Sequence, residues 1–307
     1  MNTKRLDSLE ELRTYAAIIE GGSLAAAATA LGVSPNAISR RLGLLEAHVG
    51  RRLIHRTTRR MSVTDEGQRF HARCRRILDE LEDAERELTG ADGLGGTLRV
   101  AIHTDMVCPD LMLALSELLT GALGLRVQLR VGSRFIDPIA AGLDVAVHLG
   151  RPPPSSLISV PLGPLVWGLA AAPSYLLRHG TPRLPEQLVK HECLRVLRAP
   201  AETHWHLSRG AGRARRFAVG GRLEVTDAQA LVEALHAGLG VGIRLSSAID
   251  SGVRAGTLES VLPQWRWAST PIFALLPPGR SKLPGIRALL DVLRKATRSL
   301  GDSSLST

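Results

Sequence analysis

The Gly-rich segment TGADGLGGT, Thr89–Thr97, is where this chain changes its pattern. Upstream, apolar residues recur at helical spacing; downstream, strand and helix signals alternate. At 307 residues the chain is about twice the ~150 expected of one domain, so the segment reads as a hinge between separately packed units.

Upstream, Leu9, Leu12, Tyr15 and Ile19 give a first helix one apolar face, and Gly21-Gly22 stops it. Ser23 caps a second helix, SLAAAATALG, which ends at Gly32. Ser34 caps a third, with Pro35 in the first turn, where a missing N–H costs nothing. A basic ribbon, RRLIHRTTRRMSVT, follows with Thr57-Thr58 at its tip, and Thr64 then caps a long helix opened by Asp65 and Glu66.

The long helix carries Phe70, Cys74, Ile77, Leu81, Ala84 and Leu88, a 4-3-4-3-4 spacing that keeps a narrow seam and calls for a partner helix. Arg69, Arg73, Arg75 and Arg76 fill its first half, whereas Asp79, Glu80, Glu82, Asp83, Glu85 and Glu87 fill its second. Acid near a helix C-terminus opposes the dipole, and an antiparallel copy would offset that cost by setting basic against acidic halves. The seam is therefore expected to form an antiparallel homodimer; packing of the helix on its own domain is the alternative.

On a helical wheel of the third helix, Ser34, Ile38, Leu42, Leu45 and Val49 share one stripe, and Asn36, Arg40, Gly43 and Ala47 lie opposite, with Ala37 and Ser39 on the flanks. Small residues around the polar ones leave this face able to enter a groove, where Asn bridges an adenine edge and Arg a guanine edge. From Ser34 to Arg76 eleven arginines stand against Glu46, Asp65 and Glu66, although residues 1–90 as a whole hold fifteen basic and thirteen acidic side chains. That concentration is the footprint of a phosphate backbone. The chain's net charge of +10 rests mainly on arginine, the cation suited to bidentate phosphate contacts. Two helices across a Gly turn describe a helix-turn-helix, with the basic ribbon as its wing. Sequence-specific reading of double-stranded promoter DNA and non-specific architectural binding both fit this pattern.

Residues 21–68, GGSLAAAATALGVSPNAISRRLGLLEAHVGRRLIHRTTRRMSVTDEGQ, resemble the N-terminal domain of the LysR-type transcriptional regulators. The likeness lies in the Ala-rich helix, Ser39-Arg40, Leu45-Glu46, Gly50, the wing Arg56-Thr57-Thr58-Arg59, and Thr64-x-x-Gly67. LDVAVHLGRPPPSSLISVPLG, AAPSYLLRHGTPRLPEQLVKHECL and EALHAGLGVGI resemble the effector-binding part of the same family, so the likeness covers nearly the whole chain. Pro35-Asn36 departs from the family's common Gln-Pro, and Ile54 from its usual Phe. The resemblance implies that Ser34, Pro35, Asn36, Ser39 and Arg40 approach base edges and nearby phosphates, while Arg52, Arg56, Thr58, Arg59 and Arg60 hold the backbone.

It also implies an α/β architecture: a winged helix-turn-helix over 1–64, a linker and dimerisation helix over 65–89, a hinge at 90–96, and an effector domain over 97–300 before a tail at 301–307. Two lobes like those of periplasmic solute-binding proteins, about 97–163 with 270–300 and about 164–269, would hold a small molecule in the cleft between them. Open α/β sheets bind ligands at strand C-termini. His103, Thr104, Asp105, Ser133 and Arg134 are thus expected on one side of the effector, and Arg198, Thr226 and Arg244 on the other. Three arginines fit a carboxylate or another anion, with Arg134 its first partner. Homodimers, homotetramers and contact with RNA polymerase complete the expected assembly.

Rival chemistries are thin. His191 with Cys193, and His204 with His206, have a spacing that puts metal ligands on one strand face, but His191 and Cys193 fall within a family-like stretch where they look structural, and no metal or cofactor is expected. Cys108 is read as a small buried residue rather than an oxidant sensor. Gly238-x-Gly240-x-Gly242 follows a helix and precedes a strand, the reverse of a dinucleotide fingerprint, and no enzyme motif appears. The N-terminus has no apolar stretch of secretory type, and the run Ile158–Pro173 is shorter than the ~20 residues of a spanning helix. The reading is a cytoplasmic protein with no membrane partner.

Overall fold

A computed structural model describes residues 9–56, 61–88, 94–197, 203–210 and 212–301, and for Arg56, Asp79, Glu80 and residues 82–88 it describes the backbone alone. The chain divides into two compact units, one of Met1–Val100, Ala122–Gln128 and Ile136–Val145, the other of Ala101–Gly121, Leu129–Phe135 and Ala146–Thr307.

The first unit opens with α1 (Leu9–Gly21), α2 (Leu24–Leu31), α3 (Pro35–Val49), a ribbon of β1 (Ile54–Arg56) and β2 (Met61–Val63), and α4 (Asp65–Leu88). The caps act as their sequence dictates. Ser23 Oγ accepts the Ala26 N–H at 3.1 Å, Ser34 Oγ accepts that of Ala37 at 3.2 Å, and Gly32 turns left-handed at φ 64° to end α2. Leu12, Tyr15 and Ile18 of α1 meet Ala27 and Ala28 of α2 and Ile38, Leu42 and Leu45 of α3 in one buried cluster, which Leu53 and Ile54 extend to the ribbon. The alanines of α2 cost little side-chain entropy on burial. β1 and β2 pair antiparallel, with Ile54 opposite Val63 and Arg56 opposite Met61.

The same cluster corrects part of the expected dimer seam. Cys74 is 1% exposed inside it, Leu78 is buried beside it, and Phe70 packs on Tyr15 with ring centroids 5.6 Å apart. A straight helix drifts relative to a 3.5-residue repeat, so after Cys74 the inward position passes to Leu78, and Ile77 is left 46% exposed. Of the first two seam residues, Cys74 is core of its own domain and the half-buried Phe70 packs against that core. Leu81 is half-buried, and the side chains of Ala84 and Leu88 lie outside the described set. Burial pushes the Cys74 thiol up to about 12.

Downstream come β3 (Gly95–His103), α5 (Pro109–Gly121), β4 (Gly124–Gly132), α6 (Pro138–Ala141), β5 (Val145–Leu149), β6 (Ile158–Ala171), α7 (Pro173–His179), β7 (Cys193–Val196), β8 (His204–Arg209), β9 (Arg215–Ala218), β10 (Glu224–Val225), α8 (Ala228–His236), β11 (Val241–Leu245), α9 (Ser246–Arg254), β12 (Glu259–Val261), β13 (Trp265–Leu276) and α10 (Pro284–Gly301). In the second unit the order β10-β7-β11-β6-β13-β5 forms the sheet, with β12 on β6 and the β8–β9 hairpin on β13. β7 pairs in parallel with β10 and β11, whereas β6 and β13 run antiparallel to each other and to their other neighbours.

The sheet is therefore mixed where strand–helix alternation predicted a largely parallel one. Two long strands, leading out and back, impose the antiparallel pairings. β6 pairs with β13 through its first half and with β11 and β12 through its last residues. Pro161, Pro164 and Pro271, which donate no backbone hydrogen bond, sit around the shifts in register between these strands. On one sheet face Leu169, Trp205, Leu207, Phe217 and Val241 form a core, and on the other Ala170, Leu194, Leu235, Ile249 and Leu258. α10 presents Ile286, Leu289, Leu293, Ala296 and Leu300 as a buried stripe.

Candidate DNA interface and effector cluster

α3 is held from below and open above. Ile38, Leu42 and Leu45 are 0–1% exposed and Pro35, Asn36, Arg40, Gly43 and Ala47 are exposed, as the wheel predicts for the middle of the helix; its ends differ, since Ser34 is exposed as the cap and Val49 only half-buried. Ser39 is half-buried on the flank. Ser34 has a local task as well: its oxygen caps the helix, and its hydroxyl proton remains to donate outward. Arg41, one residue beyond Arg40, turns back to pair with Glu10 at 3.1 Å and so braces α3 on α1. His48 lies 2.9 Å from the nearly buried Glu11, a second tie between these helices.

The wing is positioned by side chains whose task the sequence does not spell out. Glu46 Oε1 accepts the N–H groups of Leu53 at 2.9 Å and Ile54 at 3.1 Å, which fixes the start of β1 to the end of α3. Thr64 Oγ1 lies 3.1 Å from the Arg52 carbonyl and 3.2 Å from that of Leu53, and accepts the Gly67 N–H at 2.9 Å. A Cβ at position 67 would stand 2.3 Å from the Leu53 carbonyl oxygen and 2.6 Å from the Tyr15 hydroxyl, so only glycine lets α4 start this close to β1. The motif Thr-x-x-Gly is thus a packing device. Arg52 is exposed at the ribbon's entrance; Thr58, Arg59, Arg60 and the side chain of Arg56 lie outside the described set.

In the second unit the expected effector residues meet different fates. Asp105 stands in a short turn after β3, where Arg244 Nη1 reaches its Oδ1 at 3.1 Å and His103 Nδ1 lies 3.2 Å from its Oδ2. Arg244 and Asp105 are 11% and 7% exposed at their side chains. Burial alone would raise the Asp105 carboxyl; the hydrogen bond from His103 and the charge of Arg244 outweigh it and hold the group below the ordinary carboxylate range. His103 Nδ1 also lies 3.2 Å from the Asp105 N–H, so it accepts from the backbone when unprotonated and donates to the carboxylate when protonated. Between them, Thr104 holds a buried hydroxyl with no hydrogen-bond partner.

Arg244 is thus neutralised by a carboxylate of its own chain. Ser133 and Arg134 are exposed. Thr226 is exposed beside Asp227, whose side chain caps α8, and Arg198 lies outside the described residues. Cys108 is half-buried, and its thiol is raised by burial, contrary to what a reactive thiolate needs. Cys193 is fully buried, its thiol pushed up to about 12 by burial, while His204 contacts Thr203 and Arg216.

Comparison with known proteins gives the same division of labour. Residues 9–68 match the bacterial regulatory helix-turn-helix protein, lysR family, and residues 91–298 match the LysR substrate binding domain. The chain is 31% identical to an HTH-type transcriptional regulator of Xanthomonas campestris over 93% of its own length and 84% of that protein. It is 31% identical to the HTH-type transcriptional activator AaeR of Escherichia coli over 91% and 90%. Its fold matches the crystal structure of ArgP from Mycobacterium tuberculosis with a TM-score of 0.69 at 21% identity, covering 98% of this chain and all of that one. A winged helix-turn-helix followed by an effector-binding domain, with both halves matched, makes this chain a member of the LysR-type transcriptional regulators.

Proposed function

We propose that the chain reads a specific promoter sequence through Asn36, Ser39 and Arg40, with Ser34 and Arg52 donating to phosphates and the wing residues Arg56, Thr58, Arg59 and Arg60 continuing that backbone contact. The observation that carries this reading is the exposed outer face of α3, where Asn36 and Arg40 stand among Gly43 and Ala47 on a helix buried by Ile38, Leu42 and Leu45. Footprinting of the region upstream of the chain's own gene tests it. The wild type protects a discrete site, and Arg40→Ala loses that protection while keeping weak, salt-sensitive binding to any duplex. Equal affinity of the wild type for promoter and random DNA at fixed salt would leave an architectural protein instead.

The effector is proposed to engage the His103–Asp105–Arg244 cluster, where the Thr104 hydroxyl offers a polar group in search of a partner. A carboxylate effector would take the place of Asp105 on Arg244, with Ser133, Arg134, Arg198 and Thr226 as further contacts. Calorimetric titration with small carboxylates tests this, because Asp105→Asn should tighten binding and Arg244→Met should abolish it. The exposed Ile77 and the following Leu81, Ala84 and Leu88 are proposed as the homodimer seam of α4, with Phe70 and Cys74 removed from it. Tetramer formation, contact with RNA polymerase and a cytoplasmic location belong to the same reading; no described helix is long and apolar enough to cross a membrane.

A further inference from the structure

A groove of about 570 Å³ lies on the second unit between α7, the turn Pro185–Lys190, the segment Gly220–Arg222 and the Gly238–Leu239 turn. It shares no residue with the His103–Asp105–Arg244 cluster. Its charged lining is Arg178, Lys190 and Arg222 against Glu192, with His179 and His191 beside them. Arg178 gives its Nε to the Ser174 carbonyl at 3.1 Å and its Nη2 to the Gly238 carbonyl at 3.0 Å, both neutral groups, so its charge is not cancelled. Lys190 is exposed at the rim.

The carboxylate of the groove, Glu192, has both oxygens occupied by one residue: Arg222 Nε reaches Oε1 and the Arg222 N–H reaches Oε2, each at 3.0 Å. Three cations therefore stand against one satisfied carboxylate. The Tyr175 hydroxyl accepts the Glu192 N–H at 2.9 Å and lies 3.2 Å from His191 Nδ1, which its own proton is free to face. With that proton on the bond to Nδ1, the neutral His191 ring carries its own proton on Nε2. Burial and the nearby His179 hold His191 below the ordinary imidazole range, which favours the neutral ring.

The sequence sets the same region apart. Residues 178–222 hold ten basic side chains against Glu186, Glu192 and Glu202, a larger excess than residues 1–90 possess. We propose that this groove is a second ligand site, built for a small, multiply charged oxyanion of the phosphate class, with Arg178 and Lys190 supplying charge and His191 Nε2–H a neutral donor. The carbonyls that hold Arg178 fix its guanidinium before a ligand arrives, which lowers the ordering cost of binding. Binding here would give the regulator an input separate from the effector cluster.

Titration calorimetry of the full-length protein with sodium pyrophosphate at constant ionic strength tests the proposal. One saturable site per chain is expected, weakened by about tenfold in Lys190→Ala and lost in Lys190→Glu. Arg183→Ala removes an equal charge from an exposed position outside the groove and should change affinity by less than about twofold. Circular dichroism and an unchanged thermal midpoint establish that the Lys190 variants fold. Heats that do not saturate, or equal losses in Lys190→Ala and Arg183→Ala, would overturn the proposal in favour of diffuse charge. Displacement of pyrophosphate by duplex DNA, with Lys190→Ala weakening DNA binding in parallel, would overturn it in favour of a DNA-backbone contact.

Discussion

Arg40 of α3 and Arg244 at the end of β11 both attract attention in the sequence as cations placed for an anionic partner, yet they end in opposite circumstances. Arg40 is exposed on α3, whereas Glu46, Thr64 and Gly67 of the same domain act on the backbone that joins α3, β1 and α4. Arg244 is nearly buried and bound to Asp105. The difference is one of solvation: a surface helix can hold a cation in water until DNA arrives, whereas a cation withdrawn from water needs a counter-charge already in place. DNA recognition at Arg40 would add a partner to an open face, and anion recognition at Arg244 would exchange one partner for another.

The junction of β1 and α4 in the domain that carries Arg40 gives the sharpest way to break that comparison. Gly67→Val sets branched carbon against the Leu53 carbonyl and should cost more than about 4 kcal/mol, read as loss of the cooperative denaturation of the winged domain. A stable variant would mean that the start of α4 is not fixed by this contact. Next in size is Asp105→Asn, which strips Arg244 of its counter-charge and should destabilise the second unit by about 3 kcal/mol at neutral pH in denaturant titration.

Acid sharpens the same point. Because the folded carboxyl of Asp105 is held below its unfolded value, its stabilisation is fully present above about pH 4 and fades as pH falls through the lowered folded value. The wild type should lose that component on acidification, and Asp105→Asn should show no such loss. Parallel curves for the two proteins would mean that Asp105 is not held ionised by Arg244 and His103.

Two neighbouring arginines test the exposed side of the comparison. Arg40→Ala should cost about 1–3 kcal/mol of binding to the specific site and little of folding stability, measured by competition against random duplex. Arg41→Ala breaks only the pair with the exposed Glu10 and should move stability by less than about 1 kcal/mol and leave site preference unchanged. Should Arg41→Ala relax site preference as much as Arg40→Ala, the outer face of α3 has been assigned to the wrong residue.

Local chemistry was legible where a single element could carry it. Ser23, Gly32 and Ser34 cap their helices as written, the stripe Ile38–Leu42–Leu45 is buried, and the helix that follows Thr64 begins at Asp65. Strand β6 was harder to see, because Pro161, Gly163 and Pro164 look like breaks in the sequence and become register shifts only once β13 lies alongside. The β8–β9 hairpin was likewise hidden, since Trp205 and Leu207 find their core only against Phe217 and the other strands. The roles of Glu46 and Gly67 depend on Leu53, which reaches them through the path of the chain rather than by sequence spacing.

By itself the sequence determined the periodicity, the caps, the concentration of arginine between Ser34 and Arg76, and through its motifs the family, because these depend on neighbours within one or two turns of chain. Tertiary structure alone decided which charges are still available: Arg244 meets Asp105 across 139 positions, and Phe70 and Cys74 pack on the core around Tyr15. The physical reason is that solvation and pairing belong to the environment a side chain folds into, and that environment is assembled from distant segments.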